Sequence, residues 1–194
     1  MLNRWLHHST KGMLSARASR FELMESWLYK GLSVHVMTSF LRSIEFLALG
    51  VWLGSDVFLS FVVAPGAFRT LGSRDAAGAI VGYSLTRMHM TGIVLGIVLL
   101  LVRLLRTRSF MRVADPAALC VVMMIVLTAI SQYTVSAKMA ALRVQMGSIQ
   151  ATAGDSPLLA EFSKLHRVSV SLESGVLLAG FAAMYLMVRE LAGS

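Results

Sequence analysis

Charge and cysteine are both scarce in this chain. Asp, Glu, Lys and Arg together make up 14% of its 194 residues, whereas about a quarter of the residues of a soluble domain are charged. The single cysteine, Cys120, excludes an internal disulfide and any CxxC metal or redox motif. Hydrophobic residues account for 56% of the chain. This composition indicates an integral membrane protein that forms one compact unit.

Motifs of enzymes and of nucleic-acid binding are also missing. The sequence contains no Walker loop, GxGxxG, HExxH or GxSxG pattern, which favours a protein that is not an enzyme. The net charge is +8, but there is no RNP-like or zinc-finger pattern. The basic residues lie between apolar runs, where they act as topology determinants. We therefore expect the lipid bilayer, and no nucleic acid, as a partner.

The apolar residues are concentrated in four long stretches. A helix needs ~20 residues to cross a hydrocarbon core of about 30 Å. None of the stretches alternates with period two, which excludes a membrane barrel. The sequence therefore predicts an all-α integral membrane protein, a four-helix transmembrane bundle. The predicted spans cover about 40–64, 83–102, 117–135 and 163–188, and Pro65-Gly66 is expected to end the first.

The basic residues predict the orientation of these spans. The positive-inside rule places an arginine-rich loop, and with it both termini, in the cytoplasm, here beneath a bacterial-type inner membrane. The loop between the second and third spans holds Arg103, Arg106, Arg108 and Arg112. Residues 1–36 are polar and basic, and precede a four-span domain at 37–194. They are either a start-site extension upstream of Met37 or a short amphipathic surface helix at Phe21–Leu32.

Several polar residues interrupt the apolar spans. A carboxylate at the bilayer centre costs roughly 2.5–3.5 kcal/mol, so these residues are candidates for a ligand or proton site. Counting depth at 1.5 Å per residue places five of them in the outer half of the bundle: Asp56, His89, Gln132, His166 and Glu173. Arg87 and Arg143 are candidate charge partners.

Three residues of the first span are predicted to have structural roles. Trp52 lies on one helical stripe with Glu45 and Asp56. Gly50 and Gly54 form a small-xxx-small pair that is expected to let a neighbouring helix come close. Pro65 is expected to close the span. Trp52, Gly54 and Pro65 are therefore the structural candidates.

These residues leave three functions open. In the first, an outer-side pocket binds a small ligand, proton or metal ion, with charge from Asp56 and Glu173 and with His89 and His166 as ligands or proton carriers. In the second, the same residues form ion pairs in a structural or accessory subunit, whose apolar surface docks a second copy or a membrane partner. The third is a haem- or quinone-linked redox protein.

Two cofactors are compatible with the histidines. Met88 and Met90 flank His89, and thioether and imidazole ligands suit copper(I). His89 and His166 are the only pair within the spans that could ligate a haem. Both sites need side chains that meet in the fold.

Three segments resemble one known family. WLGSDVFLSFVVAPGAF carries Trp52, Gly54, Pro65 and Phe68, YTVSAKMAALR carries Lys138 and Arg143, and FSKLHRVSVSLE carries His166 and Ser169. Together these segments resemble the transmembrane protein 205-like family, known in bacteria as domain of unknown function 4149. The resemblance runs from about Phe40 to Val188. It implies a four-helix integral membrane protein with no settled activity, and it gives weight to Trp52, Pro65, Arg143 and His166.

Overall fold

The computed structural model describes residues 35–107 and 115–193. The expected start-site extension, the alternative surface helix at 21–32, and Arg108 and Arg112 lie outside this part of the chain. Contacts divide the chain into two units, Met1–Arg42 and Ser43–Ser194. The packing discussed below belongs to the second unit.

Four long helices account for nearly all of the described residues, among which there is no strand. They are α1 at His35–Thr70, α2 at Arg74–Thr107, α3 at Pro116–Met146 and α4 at Pro157–Ala192. Each is long and apolar enough to cross a membrane, so the predicted all-α class and the number of helices are confirmed. Each is also longer than its predicted span, because the helix continues through polar residues that an apolar window leaves out.

The helices alternate in direction. Glu45 near the start of α1, Arg103 near the end of α2 and Glu190 near the end of α4 all meet at one end of the bundle, together with Asp115, which caps the start of α3. A connection of only three residues, 71–73, joins α1 to α2, and short connections favour antiparallel neighbours. The bundle is therefore up-down-up-down, with α3 packed against both α2 and α4.

An apolar core fills the middle of the bundle, and Trp52 is its largest side chain. The indole contacts α2 at two glycines. A Cβ built on Gly92 would come 2.6 Å from Cε2 of Trp52, and one on Gly96 would come 2.7 Å from Cζ3. The remaining buried core residues are Ala48, Leu49, Leu53, Leu99, Ala117, Val121, Met124, Val176, Ala183 and Met187.

The close approach of α1 and α2 uses a different glycine pair from the one expected. Gly50 and Gly54 are exposed, and nothing lies within 4 Å of a Cβ built on either of them. Two glycines four residues apart do mark a close helix contact in this bundle. The pair that does so is Gly92 and Gly96, which leave space for the indole of Trp52. Trp52 is buried in the core, and Gly54 meets no other helix among the described residues.

Two helices contain a π-helical segment. In α1 it covers Leu59–Val63 and ends two residues before Pro65. Proline has no N–H to donate and its ring clashes with the carbonyl four residues back, and the wider turn lets the helix pass through Pro65. The sequence predicted an end at Pro65-Gly66, whereas the helix continues to Thr70. In α3 the segment covers Ser131–Ser136. Single π turns are rare and often mark functional sites.

Candidate functional site

His89 of α2 is at the centre of a buried polar cluster, which we define as Asp56, His89, Ser131, Gln132 and Glu173. The His89 ring is 1% exposed, and both of its nitrogens are engaged. Nε2 lies 2.7 Å from Oε1 of Glu173 on α4, and Nδ1 lies 2.8 Å from Oε1 of Gln132 on α3. One imidazole therefore joins three helices.

The π segment of α3 supplies two neighbouring residues to this cluster. Ser131 donates from Oγ to Oε1 of Glu173 at 3.0 Å, while Gln132 contacts His89. Consecutive residues of an α-helix point about 100° apart. Here the consecutive residues Ser131 and Gln132 both reach the cluster, and both lie in the π-helical segment. Oε1 of Glu173 thus receives two hydrogen bonds, whereas its Oε2 is buried without a partner.

Asp56 of α1 completes the cluster and is the least satisfied of its members. Its side chain is fully buried, at 0% exposure. Among the described residues, its one hydrogen-bond donor is Ser60, whose Oγ lies 3.5 Å from Oδ1, and Oδ2 has no partner. Asp56 lies within electrostatic reach of His89 and Glu173. On α3, the hydroxyl of Thr128 is likewise buried and unpaired.

The structure brings four of the five predicted site residues together and leaves the fifth outside. Asp56, His89, Gln132 and Glu173 share the cluster, whereas His166 is exposed on α4. Seven residues separate His166 from Glu173, which is about 10 Å along a helix. The two histidines therefore do not face each other, and the His89–His166 pair that haem ligation requires is not assembled.

The two arginines expected as charge partners lie elsewhere. Arg87 is exposed, with its guanidinium 5.3 Å from the centroid of the Tyr83 ring. Arg143 donates from Nη1 to the carbonyl oxygen of Gly78 at 2.7 Å and lies 5.4 Å from the centroid of the Phe162 ring. Neither arginine makes a salt bridge with a described carboxylate of the cluster. Arg143 instead joins the ends of α2, α3 and α4.

The cluster is poorly suited to a transition metal. Within the described ranges, no three His, Cys, Asp or Glu side chains are arranged to hold a metal ion. Both nitrogens of His89 are already hydrogen-bonded, and a ligating nitrogen would have to give up one of these bonds. What the cluster offers instead is oxygen atoms that can accept a hydrogen bond: Oδ2 of Asp56 and Oε2 of Glu173.

A second polar group, which we call the charged layer, closes one end of the bundle. Arg103 of α2 is 1% exposed and donates to Glu45 of α1 at 3.2 Å, to Asp115 at 2.7 Å and to Glu190 of α4. Arg106 donates to Glu45 at 2.8 Å. Asp115 also caps α3, since its Oδ1 accepts from the N–H of Ala118 at 2.9 Å. This layer ties all four helices together.

The arginines of this layer were interpreted only as topology signals, and the network was not predicted. A signal for it was present: in an alternating bundle the start of one helix and the end of the next share a level, which places Glu45, Arg103 and Glu190 at the same end. Ser131 and Thr128 were also missed, because hydroxyls inside apolar helices usually bond to their own backbone.

These features define an all-helical protein with four helices fit to cross a membrane, and with a buried polar cluster near its middle. The model of the DUF4149 family, a domain of unknown function, matches residues 47–148. The match covers more than half of the chain, so the protein belongs to that family. It includes Asp56, His89 and Gln132, while Glu173 lies beyond it. No curated protein and no solved structure matches the chain.

Proposed function

We propose that this protein is a multi-pass protein of the bacterial cell membrane whose buried polar cluster binds a small ligand. In this proposal the protein is not an enzyme, both termini lie in the cytoplasm, and the charged layer faces the cytoplasm. The finer relationship to transmembrane protein 205-like proteins rests on the three segments quoted above and stays a prediction.

One observation supports a binding site best: two carboxylate oxygens are buried without a partner. Oδ2 of Asp56 and Oε2 of Glu173 accept no hydrogen bond, although buried polar atoms in folded proteins are nearly always paired. Leaving such an atom unsatisfied costs about 1–3 kcal/mol, and more when the group is charged. A bound species that donates hydrogen bonds or carries positive charge would remove this cost.

The surroundings support a small species rather than a large one. The layer between the cluster and the charged layer is tightly packed, with Leu49, Val121 and Met124 each at 0% exposure. Hydrogen-bonding groups lie instead around Asp56 and Glu173, where a proton, a water molecule or a compact cation would fit chemically.

The structural alternative has an observation of its own. His89 has a partner on each ring nitrogen, and its bonds to Gln132 and Glu173 join α2, α3 and α4. Buried ion pairs of this kind can fix how helices pack without any ligand. In a purely structural cluster, however, Asp56 would also be paired, and its Oδ2 is not.

Asp56→Asn separates the two functions, because it keeps the size of the side chain and leaves the His89–Glu173 pair intact. We would measure thermal unfolding in detergent, search for a co-purified species by native mass spectrometry and elemental analysis, and count protons taken up on acid titration. A binding site predicts unchanged or higher stability with loss of a bound species or of one proton. Glu161→Gln, at an exposed position on α4, is the matched control.

A contrary result is equally clear. If Asp56→Asn lowers stability while bound species and proton uptake stay as in the wild type, the cluster is structural. Glu173→Gln serves as a positive control for destabilisation in this experiment. Removing one partner of a buried ion pair costs about 3–5 kcal/mol.

A further inference from the structure

The protonation of His89 follows from its partners. Glu173 Oε1 and Gln132 Oε1 are both acceptors, at 2.7 and 2.8 Å from the two ring nitrogens. A neutral imidazole carries a single N–H and can satisfy only one acceptor. The imidazolium cation, in which both ring nitrogens donate, fits these two acceptors.

Glu173 is the natural counter-ion of this cation. Its Oε1 receives the Nε2–H of His89 and the hydroxyl of Ser131 at 3.0 Å. Both donors bind the same carboxylate oxygen. His89 and the 13% exposed Glu173 thus form a pair without net charge.

Asp56 is the third ionisable side chain of the cluster, after His89 and Glu173. The groups that face it are Ser60 on its own helix, His89 on α2, and Glu173 on α4, while α3 contributes to the cluster only uncharged side chains such as Gln132 and Ser131. Among the described residues, the cluster therefore holds one cation and two carboxylates. An ionised Asp56 would leave one uncompensated negative charge in an apolar interior, which is strongly unfavourable.

We propose that the ligand of this cluster is one exchangeable proton, bound at Asp56. This inference rests on the proposed function and specifies its ligand. A proton from water adds to the carboxylate of Asp56 and gives a neutral carboxylic acid; no other bond forms or breaks. The cluster then holds one cation, one anion and no net charge.

Asp56, rather than Glu173, is the proton site because the two carboxylates differ in their donors. Glu173 has two well-placed donors, whereas Asp56 has only Ser60 at 3.5 Å. A proton also needs no ligand set. A metal cation needs several ligands, and the described residues offer no group of three His, Cys, Asp or Glu for one.

Glu45 provides an internal comparison in the same chain. It is as deeply buried as Asp56, at 1% exposure, but it accepts three hydrogen bonds from Arg103 and Arg106. The two carboxyls therefore share the same burial and differ in their hydrogen-bond donors. The geometry assigns the proton to Asp56.

The first test is infrared difference spectroscopy of the whole protein in detergent across a pH series. A protonated carboxyl has a carbonyl stretch that an ionised carboxylate lacks. We expect a band that disappears reversibly as the pH rises, is absent from Asp56→Asn and is kept in Glu161→Gln. If no band depends on Asp56 at any pH at which the protein is folded, the proposal fails.

The second test needs no variant, and so it holds even if Asp56→Asn does not fold. Hydrophobic carbodiimides react with protonated carboxyls in apolar surroundings. Peptide mass spectrometry of the labelled wild type should find the adduct at Asp56 and none at Glu45. An adduct at Glu173 instead, or at Asp56 and Glu45 alike, overturns the assignment.

Sodium chloride at constant pH separates this inference from the function on which it rests. If the infrared band and the adduct at Asp56 are unchanged by added salt, the ligand is the proton. If sodium ions abolish both, the cluster binds a metal cation, so that the binding function stands and the proton inference fails. If neither a band nor an adduct nor a bound species is found, both fail.

Discussion

Gly92 offers the sharpest test of how α1 and α2 pack. In Gly92→Ala the added methyl group would lie 2.6 Å from Cε2 and 3.0 Å from Cδ1 of Trp52. These atoms belong to a rigid ring that is itself 2% exposed, so either the indole or the helix must move. Gly54→Ala is the matched change, because nothing lies within 4 Å of its Cβ.

The expected magnitude follows from the difference between these variants. Both replace a helical glycine by alanine, which by itself stabilises a helix by roughly 0.5–1 kcal/mol. Only Gly92→Ala adds the cost of overpacking, about 1–3 kcal/mol. We therefore expect Gly92→Ala to be less stable than Gly54→Ala by about 1–3 kcal/mol, measured by denaturant unfolding in detergent with circular dichroism.

A double-mutant cycle locates the cause of this difference. Trp52→Ala removes the ring that the new methyl group meets, so Gly92→Ala should cost less in a Trp52→Ala background than in the wild type. If Gly92→Ala is as stable as Gly54→Ala, or if Trp52→Ala and Gly92→Ala have additive effects, the indole does not lie on Gly92 as described.

Three further changes test the ends of the bundle. Arg103→Met should lower stability by at least ~1.5 kcal/mol because the charge-assisted hydrogen bonds from a buried guanidinium to Glu45, Asp115 and Glu190 are lost. Arg87→Met, on an exposed cation–π contact, should change stability by at most ~1 kcal/mol; equal effects on melting in detergent would contradict the charged layer. Asp115→Ala should cost at least ~1 kcal/mol through loss of the cap of α3, while Ser156→Ala, at a helix start where the side chain makes no capping bond, should be neutral in the same assay. Asp75 accepts hydrogen bonds from Ser148 and Ile149, in the connection after α3, at 2.6 and 2.8 Å. Asp75→Ala removes this acceptor, so limited proteolysis should cut the connection faster. An unchanged rate of cleavage would show that Asp75 does not restrain it.

The depth of the polar residues could be predicted because it depends only on the rise of a helix. Counting 1.5 Å per residue along alternating spans placed Asp56, His89, Gln132 and Glu173 at one level, and the fold brings their side chains together. The same count placed His166 near the cluster. It failed there because His166 lies two helical turns before Glu173 on α4, about 10 Å away along the helix, where its side chain is exposed.

The partners of charged residues were harder to predict than their depth. Arg87 lies two residues before His89 in the sequence, yet the two side chains point to different sides of α2, and Arg87 is exposed. Arg103 lies far from Glu45 and Glu190 in the sequence and bonds to both. Proximity along the chain predicted the wrong partners, since in a bundle of long helices the close contacts come from neighbouring helices.

By itself, the sequence determined the class of this protein: few charges, four apolar stretches and no enzyme motif leave an all-α bundle with a small set of buried polar residues. These properties depend on composition and length, which each helix carries alone. Only the tertiary structure decided which glycines accept Trp52, where the helices widen into π turns, and that Asp56 is left without a full set of partners. These properties depend on how each helix is rotated and packed against the other three, and that is settled by all four surfaces at once.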